Sequence, residues 1–88
     1  MHMKNGLNVN NNGAKHWYLH GQRHREDGPA LEWANGHKEW WLHGERHRED
    51  GPAVEFANDD KAWYLNGEEF TKDNYLLKTS KFWQQIID

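Results

Sequence analysis

The sequence predicts a mainly β protein: an antiparallel β-hairpin meander of two and a half 23-residue repeats, followed by a C-terminal α-helix. Three observations carry this. Asn12 to Ala34 (NGAKHWYLHGQRHREDGPALEWA) and Asn35 to Ala57 (NGHKEWWLHGERHREDGPAVEFA) are identical at 17 of 23 positions, and similarity at a fixed spacing of this size marks stacked supersecondary units. Within each unit, apolar residues alternate with period two between glycine-containing turn pairs, the pattern of β-hairpins. Beyond Gly67, apolar residues recur at spacings of three and four instead.

Taken in order, residues 1–11 are Asn-rich and show neither period. They are expected to form a flexible segment unless Val9 extends the first hairpin. His20–Gly21, His43–Gly44 and Asn66–Gly67 sit where tight turns need positive φ, and Asn35–Gly36 marks another such turn. Gly28–Pro29 and Gly51–Pro52 suit a loop feeding a strand, because proline cannot donate to a ladder. A partial third copy, NDDKAWYLNGEE, starts at Asn58 and stops short of an HREDGPA segment. Residues 12–70 are therefore the repeat sheet. Residues 71–88 are read as a capping helix, with Thr71 as N-cap, Asp73 in the first turn, and Tyr75, Leu76, Leu77, Phe82, Trp83, Ile86 and Ile87 on its apolar side. Such a helix would close the sheet's end or cover a face, since repeat arrays need a cap.

Equivalent residues of successive units should lie roughly 9 to 10 Å apart, two strand spacings. One ladder is Trp17, Trp40 and Trp63, joined by Leu19, Leu42, Leu65, Leu31, Trp33, Val54 and Phe56; the other is Tyr18, Trp41 and Tyr64. The first is assigned to the core. The second is assigned to the opposite face with His16, His20, His43, Glu32, Glu39 and Glu55.

The aromatic assignment follows from composition. Leu, Ile, Val and Phe number only 14 of 88 residues, while six Trp and three Tyr supply the missing apolar surface, so the core is expected to be aromatic. The absence of cysteine removes disulfide frameworks, thiol nucleophiles and Cys-based zinc sites. No apolar run reaches the roughly 18 residues needed to span a bilayer, so a soluble, cytoplasmic protein without membrane contact is expected. A chain this small commonly gains stability by self-association, which makes a homodimer a further expectation.

The 23-residue period, the Asn–Gly-type turns and the aromatic strands resemble the MORN repeat. The runs HGQRHREDGPALEWANG and HGERHREDGPAVEFAND are similar to a variant found in small proteins of phages and other large viruses. The resemblance covers about residues 12 to 70, and the turn spacing departs from MORN proper, whose usual Tyr-x-Gly step is missing. It implies an antiparallel hairpin scaffold that contacts other proteins, and it brings no catalytic residues.

The segments His24–Asp27 and His47–Asp50 are the obvious candidates for chemistry. A metal-dependent or acid–base enzyme is disfavoured, because ligands about 2.0 to 2.2 Å from one ion must lie within about 4 Å of each other, not two strands apart. A solvated turn in which Arg25 or Arg48 pairs with a neighbouring carboxylate is preferred. No catalytic residue, cofactor or metal site is assigned. Residues 14–70 carry seven Lys and Arg against twelve Asp and Glu, which argues against direct nucleic-acid binding and for a protein partner with a basic surface.

The expected function is a non-enzymatic protein-binding module. The resemblance implies a phage-encoded protein, and the acidic sheet and small size extend the expectation to an inhibitor of a host defence protein, for example a CRISPR effector. Tyr18, Trp41 and Tyr64 would anchor the partner, with Glu26, Asp27, Glu32, Glu39, Glu49, Asp50 and Glu55 matching its charge. The stripe reads equally as the surface beneath the helix or as a self-association face. The alternative is a sponge protein holding a nucleotide-like signal, with His20, His43, Arg25 and Arg48 at its polar edge.

Overall fold

The computed structural model describes residues 5–79. Its strands are β1 (Gly6–Val9), β2 (Lys15–Leu19), β3 (Gln22–Arg23), β4 (Leu31–Glu32), β5 (Lys38–Glu39), β6 (Trp41–Leu42), β7 (Glu45–Arg46), β8 (Val54–Glu55), β9 (Lys61–Leu65) and β10 (Glu68–Phe70). One helix, α1 (Lys72–Thr79), follows. The protein is mainly β, an antiparallel, hairpin-rich array with a C-terminal helix. The main sheet runs β1-β2-β4-β5-β8-β9-β10; β3 pairs with β2, and β6-β7 forms a separate hairpin.

The repeat is structural as well as sequential. Leu31 and Glu32 stand opposite Glu39 and Lys38, and Val54 and Glu55 stand opposite Ala62 and Lys61, the same register 23 residues on. The register extends backwards, with Asn8 and Val9 opposite His16 and Lys15. Val9 does extend the first hairpin: residues 6–9 are a sheet strand rather than part of a flexible segment, because the half-unit before Asn12 keeps the turn chemistry although its side chains lost the pattern. At each tryptophan the long strand changes partner. Lys15 and His16 pair with β4, Tyr18 and Leu19 pair with β3, and the Trp17 N–H reaches the Ala30 carbonyl at 2.8 Å. The hairpins that diverge there stay joined through backbone bonds from Gly44 to Arg23 (2.9 Å) and from Gly67 to Arg46 (2.8 Å).

Two turn types alternate. His20–Gly21 (φ 52°, 78°), His43–Gly44 (50°, 81°) and Asn66–Gly67 (51°, 83°) are the expected turns with positive φ at both positions. The Asn35–Gly36 turn differs from expectation: only Gly36 has positive φ (97°), the Gly36 N–H reaches the Trp33 carbonyl, and Trp33 bonds to His37, giving a three-residue loop. Asn35 is instead occupied through its side chain, whose Oδ1 accepts the His37 N–H at 3.0 Å.

Among the described residues the core is mainly small and aliphatic, with Tyr75 its one aromatic side chain. Ala14, Ala30, Ala53, Leu31, Val54 and Tyr75 are at most 5 % exposed, Ala62 is buried, and Trp17, Trp40 and Trp63 are half-buried. Small residues fill the interior because short strands changing partner bring backbone close to backbone, leaving the indoles at the surface. Trp33 and Phe56 are 46 % and 42 % exposed, so both leave the expected core. The face assignment changes too. Because Leu31 stands opposite His16 and Glu39, it shares their face, whereas Trp17 lies beside Ala30 on the other. Parity along one strand does not fix parity across strands; register does.

In α1, Thr71 Oγ1 accepts the Asn74 N–H at 3.2 Å, as the expected N-cap should. The helix follows β10 at the point where a third His-Arg-Glu-Asp segment would begin. Tyr75 is buried there; its hydroxyl donates to the Arg48 carbonyl and accepts the Gly51 N–H at 3.1 Å. Leu76 and Leu77 are exposed. The expected helical positions Phe82, Trp83, Ile86 and Ile87 lie outside the described residues.

Candidate binding face

The His-Arg-Glu-Asp segments are joints between units. Arg25 donates to Asp27 (3.0 Å) and to the Pro29 carbonyl (3.2 Å), stands 3.5 Å from Glu32, and lays its guanidinium 4.0 Å from the Trp17 ring centre. Arg48 repeats the arrangement with Asp50, Pro52, Glu55 and Trp40, the last at 3.8 Å. Glycine leaves room for each arginine: a Cβ on Gly51 would stand 2.9 Å from the Arg48 guanidinium carbon, and the arginine would have to shift. His24 and His47 reach across units, their Nδ1 atoms accepting the backbone N–H of His43 (2.8 Å) and Asn66 (2.9 Å). A ring nitrogen that accepts carries no proton, so both imidazoles hold theirs on Nε2.

These contacts account for the candidate ligand residues. Arg25 and Arg48 have their polar groups turned to their own loops, and with Glu26, Asp27, Glu49 and Asp50 they line a cleft of about 610 Å³ between successive segments. His20 and His43 are turn residues outside that lining, and the His43 ring packs 4.5 Å from His24. Glu49, Asp27 and Asp50 are 77 to 88 % exposed. Among the described residues, no group of three or more His, Asp or Glu could hold a metal ion, and no helix is long and apolar enough to cross a membrane.

Three predicted partner residues move. Glu32 and Glu55 lie on the opposite face from Trp41, alternating in register with Lys15, Lys38 and Lys61 and paired to Arg25 and Arg48. Glu39 is on the Trp41 face but buried, at 8 % exposure. It accepts from Trp41 Nε1 (2.9 Å), Arg46 Nε (3.2 Å) and His37 Nε2 (2.7 Å). Burial pushes its carboxyl pKa up, and the bonds from His37, Trp41 and Arg46 outweigh this, holding it below the ordinary value.

Tyr18, Trp41 and Tyr64, all half-buried, do share this face. Besides the buried Glu39, the charged neighbours of Trp41 are arginines. Arg23 and Arg46 stand 5.2 and 5.1 Å from the Trp41 ring centre, and Arg46 is also 5.3 Å from Tyr64. On the same face a groove of about 460 Å³ runs between two turns, with Trp33 and Phe56 flanking His37 at ring-centre distances of 6.0 and 5.3 Å.

Sequence reasoning gave no role to Arg23, Arg46 or His37 and put Trp33 and Phe56 in the core, yet the sequence holds a signal for most of them. The first two units differ at six positions: Ala14/His37, His16/Glu39, Tyr18/Trp41, Gln22/Glu45, Leu31/Val54 and Trp33/Phe56. Register puts five of these six on one face and the sixth, Gln22/Glu45, opposite Leu19 and Leu42 on the other. The third unit continues the trend with Asp60, Ala62, Tyr64 and Glu69 on that face, while Lys15/38/61, Trp17/40/63 and Leu19/42/65 repeat unchanged on the other. One face is the more uniform and the other the more individual, although Gln22/Glu45 and Phe70, in the place of His24 and His47, vary on the first and Arg23 and Arg46 repeat on the second. Neither a protein-family model, nor a curated protein, nor a solved structure matches the chain.

Proposed function

We propose that the chain is a non-enzymatic protein-binding module that lays its individual face on a partner with a basic surface, as a small phage-encoded inhibitor of a host defence protein would. One observation carries the reading: differences between otherwise near-identical units are concentrated on a single face. The uniform face holds the scaffold together, with each Trp17- or Trp40-type indole covered by its own arginine. The other face departs from repetition where a partner would be distinguished. Trp41, at its middle, is a half-buried indole flanked by guanidinium groups, the residue types enriched in binding hot spots. The exposed Asp27, Glu49 and Asp50, with Glu26 beside them, lie along the cleft lined by Trp40 and Leu42 on the uniform face, and this acidic rim favours a basic partner that extends from the Trp41 face onto it.

The test is affinity capture from a bacterial lysate in parallel with the parent chain, a Trp41→Ala chain and a chain with Glu26, Asp27, Glu49 and Asp50 replaced by Lys, with light scattering on each. The expected result is a partner retained by the parent, lost with Trp41→Ala, and weakened both by the charge reversal and by added salt. Equal capture by all three chains would overturn the assignment, as would a stable dimer whose formation Trp41→Ala abolishes without any partner being bound.

A further inference from the structure

We propose that the groove between Trp33 and Phe56 binds a proline-containing extended segment, with prolines at i and i+3 seated on the two rings and a basic residue beyond them. The inference deepens the reading of the chain as a protein-binding module and rests on it.

Spacing is the first argument. Trp33 and Phe56 occupy the same position of successive units, next to β4 and β8, which are separated by β5 alone. Their strands are thus about 9 to 10 Å apart. A polyproline-II chain advances about 3.1 Å per residue with three residues per turn, so prolines at i and i+3 lie on one side about 9.3 Å apart. The array matches that repeat without adjustment. It offers two rungs rather than three, because the equivalent position in the first half-unit is Asn10.

Exposure is the second. Trp33 and Phe56 are the two most exposed aromatic residues among those described, at 46 % and 42 %. Both are turn-flanking residues fixed by backbone bonds, Trp33 to His37 and Phe56 to Asp60, each at 2.8 Å. A backbone held this way leaves only the two side-chain torsions of each ring to be ordered when a ligand lands on it.

The third is polar chemistry between the rings. His37 is fixed by Glu39, itself held by Trp41 and Arg46. With Nε2–H donated to that carboxylate, Nδ1 is the ring atom left to face a ligand, an acceptor whenever it carries no proton. A polyproline-II segment makes no internal hydrogen bonds, so its non-proline backbone N–H groups need such acceptors. The pair belongs to this unit only: the equivalents are Ala14 with His16 and Asp60 with Ala62. Copying alone therefore does not account for it.

Charge decides the flank. Among the described residues no lysine or arginine lines the groove, while Asp60 does. A phosphate-bearing or acidic ligand would meet no counter-charge, and a basic residue after the second proline would find Asp60.

The experiment is an NMR titration of the full chain, labelled with nitrogen-15, using a short peptide with two prolines three residues apart followed by arginine. The control peptide has both prolines replaced by alanine. The expected result is saturable shifts of the Trp33 indole and the His37 amide, absent with the control, and about tenfold or greater weakening by Trp33→Ala or Phe56→Ala. Asp60→Asn should weaken the arginine peptide and leave one lacking arginine unchanged. The proposal is overturned if no saturable shift appears, if the alanine peptide binds equally, or if either ring variant binds like the parent. It is also overturned if a chito-oligosaccharide, and not the peptide, shifts these signals, or if they move with protein concentration alone. Should the groove fail while Trp41→Ala still abolishes partner capture, only this inference falls; should the peptide bind while Trp41→Ala captures the partner normally, the aromatic stripe falls and the groove stands.

Discussion

Glu39 is the residue whose replacement tests the packing most directly. Its carboxylate is buried and receives bonds from His37, Trp41 and Arg46 at 2.7, 2.9 and 3.2 Å. Hydrogen bonds to a charged group contribute about 1.5 to 3 kcal/mol each, and breaking a buried ion pair from one side costs about 3 to 5 kcal/mol. Arg46 is the most solvated of the three donors, at 38 % side-chain exposure, and can turn to water. The His37 and Trp41 donors have less freedom to do so. Glu39→Ala should therefore cost about 3 to 4 kcal/mol, a fall in Tm of about 12 to 30 °C for a chain of this size. Glu39→Gln keeps the volume and one acceptor and should cost about half as much. Because the folded carboxyl titrates below its ordinary value of about 4.3, its contribution is complete above that value and is lost as pH falls through the folded one. The gap between parent and Glu39→Gln should be full at neutral pH and close as pH falls below the ordinary carboxylate range. Urea denaturation across that range measures both quantities. A cost under about 0.5 kcal/mol for Glu39→Ala, or a gap indifferent to acid, would refute the reasoning.

Other outcomes follow from the joints. Asp59 holds φ 72° where the equivalent residue is Gly36, so Asp59→Gly should raise stability by about 0.5 to 1 kcal/mol in thermal melts. Arg48→Lys keeps charge but loses the fork that reaches Asp50, Pro52 and Glu55 while covering Trp40, and should cost about 1 to 3 kcal/mol, visible as a lower urea midpoint. Tyr75→Phe should release α1 at a cost of about 1 to 2 kcal/mol, read as faster amide exchange in residues 72–79. Burial pushes the Tyr75 phenol above its ordinary value of about 10, the Gly51 N–H opposing and Asp50 adding to the rise. Its contribution is thus present below pH 10 and lost as pH climbs through the folded value, an alkaline loss that Tyr75→Phe should lack.

The fold class, the turns at His20, His43 and Asn66, and the Thr71 cap were legible because each depends on neighbours in the chain. The faces were not. Trp17 and Leu31 look alike in a hydropathy pattern, and only pairing His16 with Leu31 puts them on opposite sides. The arginines were hidden for a related reason. Arg23 and Arg46 stand two residues from Arg25 and Arg48, yet the first pair borders Trp41 while the second covers Trp17 and Trp40. Counting charge over the segment merged two populations, and it placed Glu32, Glu39 and Glu55 on one surface although one is buried and two are across the sheet.

The division between a uniform and an individual face gives a test that separates folding from recognition. Glu39→Ala is expected to be costly because it strands its donors, but removing both sides of a polar contact can be close to neutral. The first unit already displays such a set: Ala14, His16 and Tyr18 occupy the positions of His37, Glu39 and Trp41. Transplanting it as His37→Ala, Glu39→His and Trp41→Tyr together should thus cost less than Glu39→Ala alone, because two of the three donors go with the carboxylate and Arg46 Nε is left without an acceptor as Arg23 Nε is in the first unit. Partner capture should nevertheless be lost, since the residues that individualise the middle unit are gone. Undiminished capture by the triple variant would mean that the differences between units are drift on a solvated surface, and a loss of stability matching Glu39→Ala would mean that the units are not interchangeable as packing. Only a folded chain that no longer binds fits a scaffold whose one face is copied for stability and whose other is varied for recognition.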